Sequence, residues 1–365
     1  MLLSPVGLPI EELDTPALLL DLDAMERNID QMARHISGLG KHWRPHAKAF
    51  KCPAIAHKLI RAGAIGVTVA KVSEAEVMAA AGVQDILIAH LVVGPRKAAR
   101  LAALQRLASV KATVDHPDQI RPLAEAARAV GVEVGLLVDV DLGMRRTGVE
   151  SAEAAVSLAK QVADAQGLRF DGLMGYEGHT LTIPDPIEKR RAIVEAIGRL
   201  NHAVEAVEAA GLPCPIVSAA GSGSYQYTAE LPGVTELQAG GGIFACRFYT
   251  EVCRIEGHEP AISVLATVVG RPAQNRLILD VGRKSISDHQ ISPSLPDWLD
   301  ARILGLSAEH ATVEVRPENP LAIGQVVHII PGYSDFTFVL HDRVLGHRRR
   351  LVESCWTLWG RGMLQ

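Results

Sequence analysis

One lysine lies in a sequence context that suits covalent chemistry. Lys48 ends the segment Arg44-Pro45-His46-Ala47-Lys48, which brings a guanidinium and an imidazole close to its amine. Most lysines are simply solvated at the surface. A lysine that is desolvated near other cations has a lowered pKa, and its neutral amine can form a Schiff base with a carbonyl compound. Lys48 is therefore the candidate nucleophile of this chain.

Two glycine-rich segments, residues 219–224 and 239–242, could bind an anion. Most glycine-rich segments are only turns. Glycine nevertheless lets backbone N–H groups approach a phosphate closely, and a helix that begins there adds a favourable dipole. A phosphate site facing a reactive lysine suits a carbonyl cofactor with a phosphate tail, and pyridoxal phosphate has both parts.

The spacing of apolar residues predicts the elements that carry these side chains. Short apolar runs alternate with Ala-rich stretches of helical spacing. The predicted strands are 43–47, 66–70, 85–90, 110–115, 132–140, 169–176, 215–219 and 234–239, and the clearest helices are 52–62, 73–81, 95–107, 117–129, 152–165 and 188–210. A doubly wound open sheet shares this alternation, but no GxGxxG motif follows an early strand. We predict an α/β fold, a (β/α)₈ TIM barrel, in which the carboxyl ends of the strands carry function.

After the barrel, the pattern changes to short strand-like runs separated by Pro, Gly or Asp. Strands are predicted at 261–269, 277–281, 311–315, 325–330, 336–340 and 351–358. We therefore predict a barrel domain over residues 23–255 and an all-β C-terminal domain over residues 256–365. Residues 1–22 contain a further strand at 16–20, and we predict that this segment pairs with the β-domain.

Composition argues against several classes of protein. Lys plus Arg number 37 and Asp plus Glu 41, so no strong field would attract nucleic acid or an anionic membrane. The five cysteines form no CxxC pair, which favours a reducing compartment over a disulfide framework. No apolar run approaches the ~20 residues that span a bilayer. We expect a cytoplasmic protein that binds neither nucleic acid nor membrane.

Several segments resemble fold-type III pyridoxal-phosphate enzymes, the alanine racemase-like class, and within it the D-threonine aldolase and D-serine dehydratase group. The matching segments are residues 14–16, 44–48, 71–75, 143–148, 219–224, 236–240 and 279–285, with Trp356 and Arg361-Gly362. The resemblance implies that Lys48 carries pyridoxal 5'-phosphate, that Arg146 contacts the phenolic oxygen of the cofactor, and that Tyr176 lies beside it. It places His46 next to the lysine. It implies a phosphate site made of Ser222, Gly223, Ser224, Gly240 and Gly241.

Two positions depart from the pattern of this family. The aldolases bind a divalent metal through a His and an Asp, or a His and a Cys, two residues apart, whereas this chain has Tyr333 and Asp335. Asp335 is the remaining candidate ligand, and a single carboxylate is a poor metal site. Tyr333 either fills the lost site or acts as an acid or base, as a tyrosine from the partner's β-domain does in the racemases. Glu177 replaces a catalytic histidine for which His179 might substitute; Glu177 serves either as a general acid–base group or as the partner of a rim arginine.

The resemblance implies an enzyme that acts on a D-amino acid. The first expectation is retro-aldol cleavage of the Cα–Cβ bond of a β-hydroxy-D-amino acid. The alternatives are a metal-independent racemase, epimerase or dehydratase, and a pyridoxal-phosphate-binding regulator without turnover, although such regulators consist of a barrel alone. The family also implies a head-to-tail homodimer in which the β-domain of one chain covers the barrel of the other.

Overall fold

The structure is a computed structural model that describes residues 4–365. In this range the strands are β1 (Ala17–Asp21), β2 (His42–Trp43), β3 (Val67–Val69), β4 (Asp85–Leu91), β5 (Ser109–Val114), β6 (Val134–Val140), β7 (Leu168–Gly175), β8 (Ile216–Ala219), β9 (Glu236–Leu237), β10 (Ile262–Ala273), β11 (Arg276–Leu279), β12 (Arg302–Leu306), β13 (Ala311–Glu314), β14 (Val326–Ile329), β15 (Arg343–Arg348) and β16 (Leu351–Thr357). The α-helices are α1 (Leu22–Gly38), α2 (Pro53–Arg61), α3 (Val72–Ala80), α4 (Pro95–Leu104), α5 (Ile120–Val130), α6 (Ala152–Asp164), α7 (Pro186–Ala209), α8 (Tyr225–Thr228) and α9 (Ser334–Phe338). None of these helices is long and apolar enough to cross a membrane.

Residue contacts divide the chain into two units. The barrel unit comprises Met32–Lys48, Pro53–Gly240 and Gly362–Gln365. Of the described residues, the β unit comprises those from residue 4 to Gln31, with Ala49–Cys52 and Gly241–Arg361.

Eight parallel strands form the sheet of the barrel unit, in the order β2-β9-β8-β7-β6-β5-β4-β3. A parallel bridge between His46 and Thr68 joins the two ends of this order. The Thr68 N–H also donates to the Pro45 carbonyl at 2.9 Å, so the sheet closes on itself. Every residue of β6 is buried, as expected for a strand covered on both faces. All eight predicted strands are present, and the predicted (β/α)₈ barrel is confirmed.

Apart from α8, each α-helix of the barrel unit has nine or more residues. At the start of α7, Asp185 Oδ1 accepts hydrogen bonds from the N–H groups of Ile187 and Glu188, both at 2.9 Å. Such a cap satisfies donors that have no partner within the helix. In contrast, α8 has only four residues. Beyond β9 the chain forms a short 3₁₀ turn at Gly241–Phe244.

An eight-stranded sheet forms the β unit, in the order β12-β13-β11-β10-β1-β15-β16, with β14 also paired to β10. Strand β1 lies antiparallel to β10 and parallel to β15. The N-terminal segment thus contributes a central strand to this sheet, while residues 1–3 lie outside the described range. A buried apolar cluster supports β1 and contains Ile10, Leu19, Leu265, Leu345 and Val352.

One predicted strand of the β unit is wrong. Residues 336–340 lie largely in a helical turn, α9 (Ser334–Phe338). A five-residue apolar run cannot distinguish a strand from a buried helical turn by its periodicity. Here the turn buries Thr337 and packs Phe338 against Phe244, with ring centroids 4.7 Å apart. Strands β12 and β15 were not predicted.

The boundary between the units also differs from the predicted domain limits. The barrel was predicted over residues 23–255, but the first part of α1 and residues 241–255 belong to the β unit. Asn28 lies in this part of α1, and its side-chain amide donates to the carbonyl oxygens of Ile243 at 3.0 Å and Glu259 at 2.8 Å. These bonds attach the start of α1 to the segment that leads into β10.

Candidate active site

Lys48 lies just after β2, in the 3₁₀ turn Ala47–Ala49. Its backbone N–H donates to His46 Nδ1 at 3.4 Å, so the imidazole is held against the main chain of the lysine. Lys48 Nζ lies 5.8 Å from the centroid of the Tyr176 ring. The structure therefore brings together the three predicted residues Lys48, His46 and Tyr176, and all of them are half-buried.

Arg44 does not act as a cationic neighbour of Lys48. It is 1% exposed and forms ion pairs with Glu236 at 3.0 Å and with Asp85 at 2.7 Å. Burial lowers the pKa of Arg44, but the attraction of the two carboxylates outweighs burial and leaves the pKa above its ordinary value. Lys111 also binds Asp85, at 2.9 Å. Arg44 thus belongs to a buried charge network at the amino ends of β4 and β9.

Tyr176, which follows β7, contacts two cations and two glycines. Arg146 Cζ lies 5.5 Å from the centroid of its ring, and Lys48 Nζ lies at a similar distance. Both distances are within the range of cation–π attraction. A Cβ atom at Gly221 would lie 2.8 Å from Tyr176 Cε2, and one at Gly178 would also collide with the ring. Only glycine leaves room for the tyrosine at these two positions.

Three aspartates hold the turn 143–148, which carries Arg146. Each accepts hydrogen bonds from this turn: Asp141 from the N–H groups of Gly143 (2.9 Å) and Arg145 (3.0 Å), Asp139 from Thr147 Oγ1 (2.8 Å), and Asp115 from the N–H of Gly148 (3.1 Å). A cavity of about 600 Å³ lies beside the turn and is lined in part by Asp115, Asp141 and Arg146. The predicted position of Arg146 near Tyr176 thus depends on acceptors that sequence analysis did not identify.

Asp139 has an unusual protonation equilibrium. Burial raises the pKa of its carboxyl from 3.8 to about 6. The hydrogen bond from Thr147 opposes this rise, Asp115 adds to it by repulsion, and Arg146 opposes it by attraction. The residue lies inside an apolar strand, β6, and no motif in the sequence marks it.

The turn after β8 carries the predicted phosphate-binding residues Ser222, Gly223 and Ser224. Ala220 begins it with φ of 67°, a left-handed conformation that residues with a side chain seldom adopt. The hydroxyl of Ser224 accepts a hydrogen bond from the Gly221 N–H at 3.2 Å, and the N–H of Ser224 donates to the Gly221 carbonyl at 3.1 Å. Ser222 and Ser224 are both buried.

The second glycine-rich segment packs against the strand that leads to Lys48. A Cβ atom at Gly240 would lie 2.5 Å from the carbonyl oxygen of His46. Glycine is therefore required for the two main chains to approach. Gly241, the other residue predicted here, belongs to the β unit, where Tyr249 Oη occupies the space of its missing side chain.

Glu177 is fully buried, and its carboxylate has two neutral partners. Thr228 Oγ1 donates to Oε1 at 2.7 Å, and the Ala220 N–H donates to Oε2 at 3.3 Å. These bonds replace the predicted contact with a rim arginine. His179, the alternative base, is exposed and lies beside Gly143, where a Cβ atom would be 3.3 Å from its Nε2.

Tyr333 and Asp335 form a cluster within the β unit. Tyr333 Oη donates to Asp335 Oδ2 at 3.0 Å, and Tyr249 Oη donates to Oδ1 at 3.4 Å. The Tyr333 ring packs on Phe248, with centroids 4.9 Å apart. Burial raises the pKa of the nearby Cys246 to about 11, so this thiol stays protonated. Among residues 4–365, no group of three His, Cys, Asp or Glu side chains is arranged to hold a metal ion.

A lysine and a histidine near the ends of β3 and β4 also belong to this region of the barrel unit. Lys71 Nζ lies 3.2 Å from His90 Nε2. Burial lowers the pKa of His90, and the positive charges of Lys71, Lys97 and Arg146 lower it further. Because Arg146 is close enough to affect His90, positive charge extends along this edge of the barrel unit.

Comparison with known proteins identifies the family. The alanine racemase N-terminal domain matches residues 20–247, and the putative serine dehydratase domain matches residues 261–347. The chain belongs to the alanine racemase-like family of fold-type III pyridoxal-phosphate enzymes. This family membership confirms the resemblance seen in the sequence.

Three relatives within this alanine racemase-like family match over nearly their whole length. The chain is 34% identical to D-threonine aldolase from Arthrobacter sp., covering 98% of this chain and 95% of that protein. It is 35% identical to 3-hydroxy-D-aspartate aldolase from Paracoccus denitrificans (strain Pd 1222), covering 98% and 94%. The crystal structure of D-threonine aldolase from Filomicrobium marinum has a TM-score of 0.97 and 36% identity, with 100% of both chains covered.

The barrel unit fits the cofactor that the family implies, whereas the β unit does not fit a metal. Lys48 offers an amine, Tyr176 and Arg146 offer a ring and a cation beside it, and the turn at residues 220–224 offers buried hydroxyls with closely packed glycine backbone. At the position of the family's metal pair, the oxygens of Asp335 already accept hydrogen bonds from two phenols.

Proposed function

We propose that this protein is a pyridoxal-phosphate-dependent lyase that cleaves the Cα–Cβ bond of a β-hydroxy-D-amino acid. The observation that carries the proposal is the identity of about one third with two named aldolases, extending over both the barrel and the β unit. A similarity limited to the barrel would support the cofactor but not the reaction, because unrelated reactions use the same barrel.

In this proposal Lys48 binds the cofactor covalently. When bound, pyridoxal phosphate stabilises the negative charge that develops on a carbon of the substrate. Tyr176 and Arg146 orient the ring, and His46 lies next to the lysine. Ser222, Gly223, Ser224 and Gly240, which all belong to the barrel unit, would hold the phosphate.

Cleavage also requires a group that accepts the proton of the substrate's β-hydroxyl. We propose Tyr333 for this role: its oxygen takes the hydroxyl proton while its own phenolic proton passes to Asp335 across the hydrogen bond of 3.0 Å. The pair then does the work that a metal ion does in the aldolases, and no divalent metal is needed. We assign no proton transfer to Glu177, because both of its carboxylate oxygens accept hydrogen bonds inside the protein.

We further propose a head-to-tail homodimer in the cytoplasm. In such a dimer the β unit of one copy would bring Tyr333 to the substrate bound on the barrel of the other. The five cysteines are all free, which is consistent with a reducing compartment.

A second candidate reaction, racemisation, is favoured by Tyr333 itself. Racemisation needs proton-donating and proton-accepting groups on both faces of the substrate, and a phenol can serve on one face. The two reactions give different products, since cleavage releases an aldehyde whereas racemisation releases none.

The test is an assay of the purified holoenzyme on D-threonine and 3-hydroxy-D-aspartate, with and without EDTA. We expect glycine to be released together with acetaldehyde from D-threonine and with glyoxylate from 3-hydroxy-D-aspartate, at a rate that EDTA does not reduce. Lys48→Ala should abolish both the cofactor absorbance and the activity, and Tyr333→Phe should reduce only the rate, by about 10²–10⁴-fold. Loss of the wild-type rate in EDTA would refute the metal-independent mechanism. Production of the L-amino acid without any aldehyde would refute the proposed cleavage and support racemisation instead.

A further inference from the structure

We propose that Glu177 is a positioning residue that fixes the phosphate-binding turn after β8, rather than a group that transfers protons. This inference rests on the proposed function only in that the turn binds the cofactor phosphate. It concerns how the protein holds that turn, whichever bond of the substrate is broken.

The carboxylate of Glu177 connects three elements. Glu177 follows the carboxyl end of β7. Its Oε1 accepts a hydrogen bond from Thr228 in α8, and its Oε2 accepts one from the backbone N–H of Ala220 after β8. The side chain is 0% exposed, so the two bonds form away from water. Hydrogen bonds to a buried charged acceptor are stronger than those between neutral groups.

The bonded N–H belongs to the residue with the least favourable backbone in the turn. Ala220 has φ of 67°, and a left-handed conformation is disfavoured for a residue with a Cβ atom. An acceptor placed at its N–H favours this conformation over relaxed alternatives. The conformation of Ala220 sets the direction of Gly221, and the Gly221 carbonyl accepts hydrogen bonds from Ser224 at 3.1 Å and Tyr225 at 3.0 Å. The geometry of the whole turn thus depends on the bond to Glu177.

Glu177 and the preceding residue have separate tasks. Tyr176 directs its ring to Lys48 and Arg146, whereas the Glu177 carboxylate reaches Thr228 and Ala220. A base must reach the proton that it removes, within about 3 Å. The carboxylate of Glu177 is instead enclosed behind the turn.

Glutamine distinguishes the two roles. In Glu177→Gln the amide oxygen can accept from the Ala220 N–H, and the NH₂ group can donate to Thr228 Oγ1, because a hydroxyl both donates and accepts. Both connections survive while the ability to take a proton is lost. Glu177→Ala and Thr228→Val remove connections. Glu230→Gln is a matched control, since Glu230 lies just beyond α8 in a part-exposed ion pair with Arg190.

The experiment measures the Kd of the apoprotein for pyridoxal phosphate and for pyridoxal, which lacks the phosphate, together with the rate of aldehyde release at saturating cofactor. We expect Glu177→Ala to raise the Kd for pyridoxal phosphate by about 10- to 100-fold, as for loss of hydrogen bonds to a charged group. The Kd for pyridoxal should rise by less than about threefold. Thr228→Val should show the same selectivity to a smaller degree. Glu177→Gln and Glu230→Gln should resemble the wild type in both affinity and rate.

Several results would overturn the inference. A loss of 10²–10⁴-fold in rate for Glu177→Gln, with unchanged cofactor affinity, would make Glu177 a proton-transfer group at about the magnitude expected of one. Equal weakening of pyridoxal and pyridoxal phosphate would show only general damage to the fold. If Glu177→Ala does not fold, Thr228→Val decides the matter by the same ratio. A wild type that binds pyridoxal phosphate but releases no aldehyde refutes the proposed function and leaves this inference standing.

Discussion

Replacing Asp139 by asparagine should stabilise the protein at neutral pH but not in acid. Burial raises the pKa of Asp139 from 3.8 to about 6, so the folded protein holds this proton more tightly than the unfolded chain. The contribution of the protonated Asp139 carboxyl to the free energy of unfolding is therefore fully present below about pH 3.8, and it is lost as the pH rises through about 6. Asparagine can still accept the hydrogen bond from Thr147 and has no charge to bury.

The size of the effect follows from the rise in pKa. A change from 3.8 to about 6 corresponds to about 3 kcal/mol of free energy of unfolding above pH 7. The advantage of Asp139→Asn over the wild type should be small at pH 4, grow between pH 4 and pH 7, and then stay constant.

Urea unfolding of both proteins at closely spaced pH values measures this advantage directly. Asp164→Asn is a suitable control, because Asp164 is exposed at the end of α6 and its replacement should give a nearly flat difference. The explanation fails if Asp139→Asn changes stability by the same amount at every pH. In that case the substitution acts through packing or through the Thr147 bond, and burial of charge is not the cause.

Three further predictions follow from the contacts described above. Glu236→Ala leaves Arg44 buried with one partner fewer and should cost about 3 kcal/mol of stability, measured by urea unfolding; a cost below about 1 kcal/mol would mean that the pair is effectively solvated. Gly221→Ala places a Cβ against the ring of Tyr176 and should raise the Kd for pyridoxal phosphate by about tenfold or more. An unchanged affinity would show that the Tyr176 ring moves freely. Tyr333→His recreates the aldolases' metal pair with Asp335, so its activity should become dependent on added Mn²⁺ and sensitive to EDTA; activity indifferent to both would show that the remaining surroundings cannot hold a metal.

Most of the barrel could be predicted because its signals are local. Strands such as β6 are mostly apolar runs, and helices such as α7 are longer stretches with helical spacing of apolar residues. The residues of the site that lie at strand ends, Lys48 and Tyr176, could be placed for the same reason. Residues 336–340 could not, because a short apolar run is compatible with a helical turn, and the packing of Phe338 on Phe244 that decides the matter joins residues far apart in the chain.

The supporting residues of the site were beyond prediction for a different physical reason. Asp139, Thr228 and Ala220 act through hydrogen bonds to partners between 8 and 51 residues away in the chain, as in the Thr228–Glu177 bond. Arg44 shows the converse, since its position two residues from His46 suggested a role beside Lys48, while its long side chain reaches Glu236 and Asp85. Proximity in sequence predicts the position of a backbone atom better than that of a charge at the end of a flexible side chain.

The division of residues between the two units bears on how the reaction could change without loss of the cofactor. The lysine, the ring contact and the buried serine turn all belong to the barrel unit, and their geometry is fixed by contacts within that unit. Tyr333, Tyr249 and Asp335 belong to the β unit and are held by one another. Under the proposed function, a change from histidine to tyrosine at position 333 would alter the group that meets the substrate's hydroxyl, while the barrel residues proposed to hold the cofactor would keep their contacts. Such a separation would let a chain keep the proposed cofactor site while a phenol takes the place of a metal ligand.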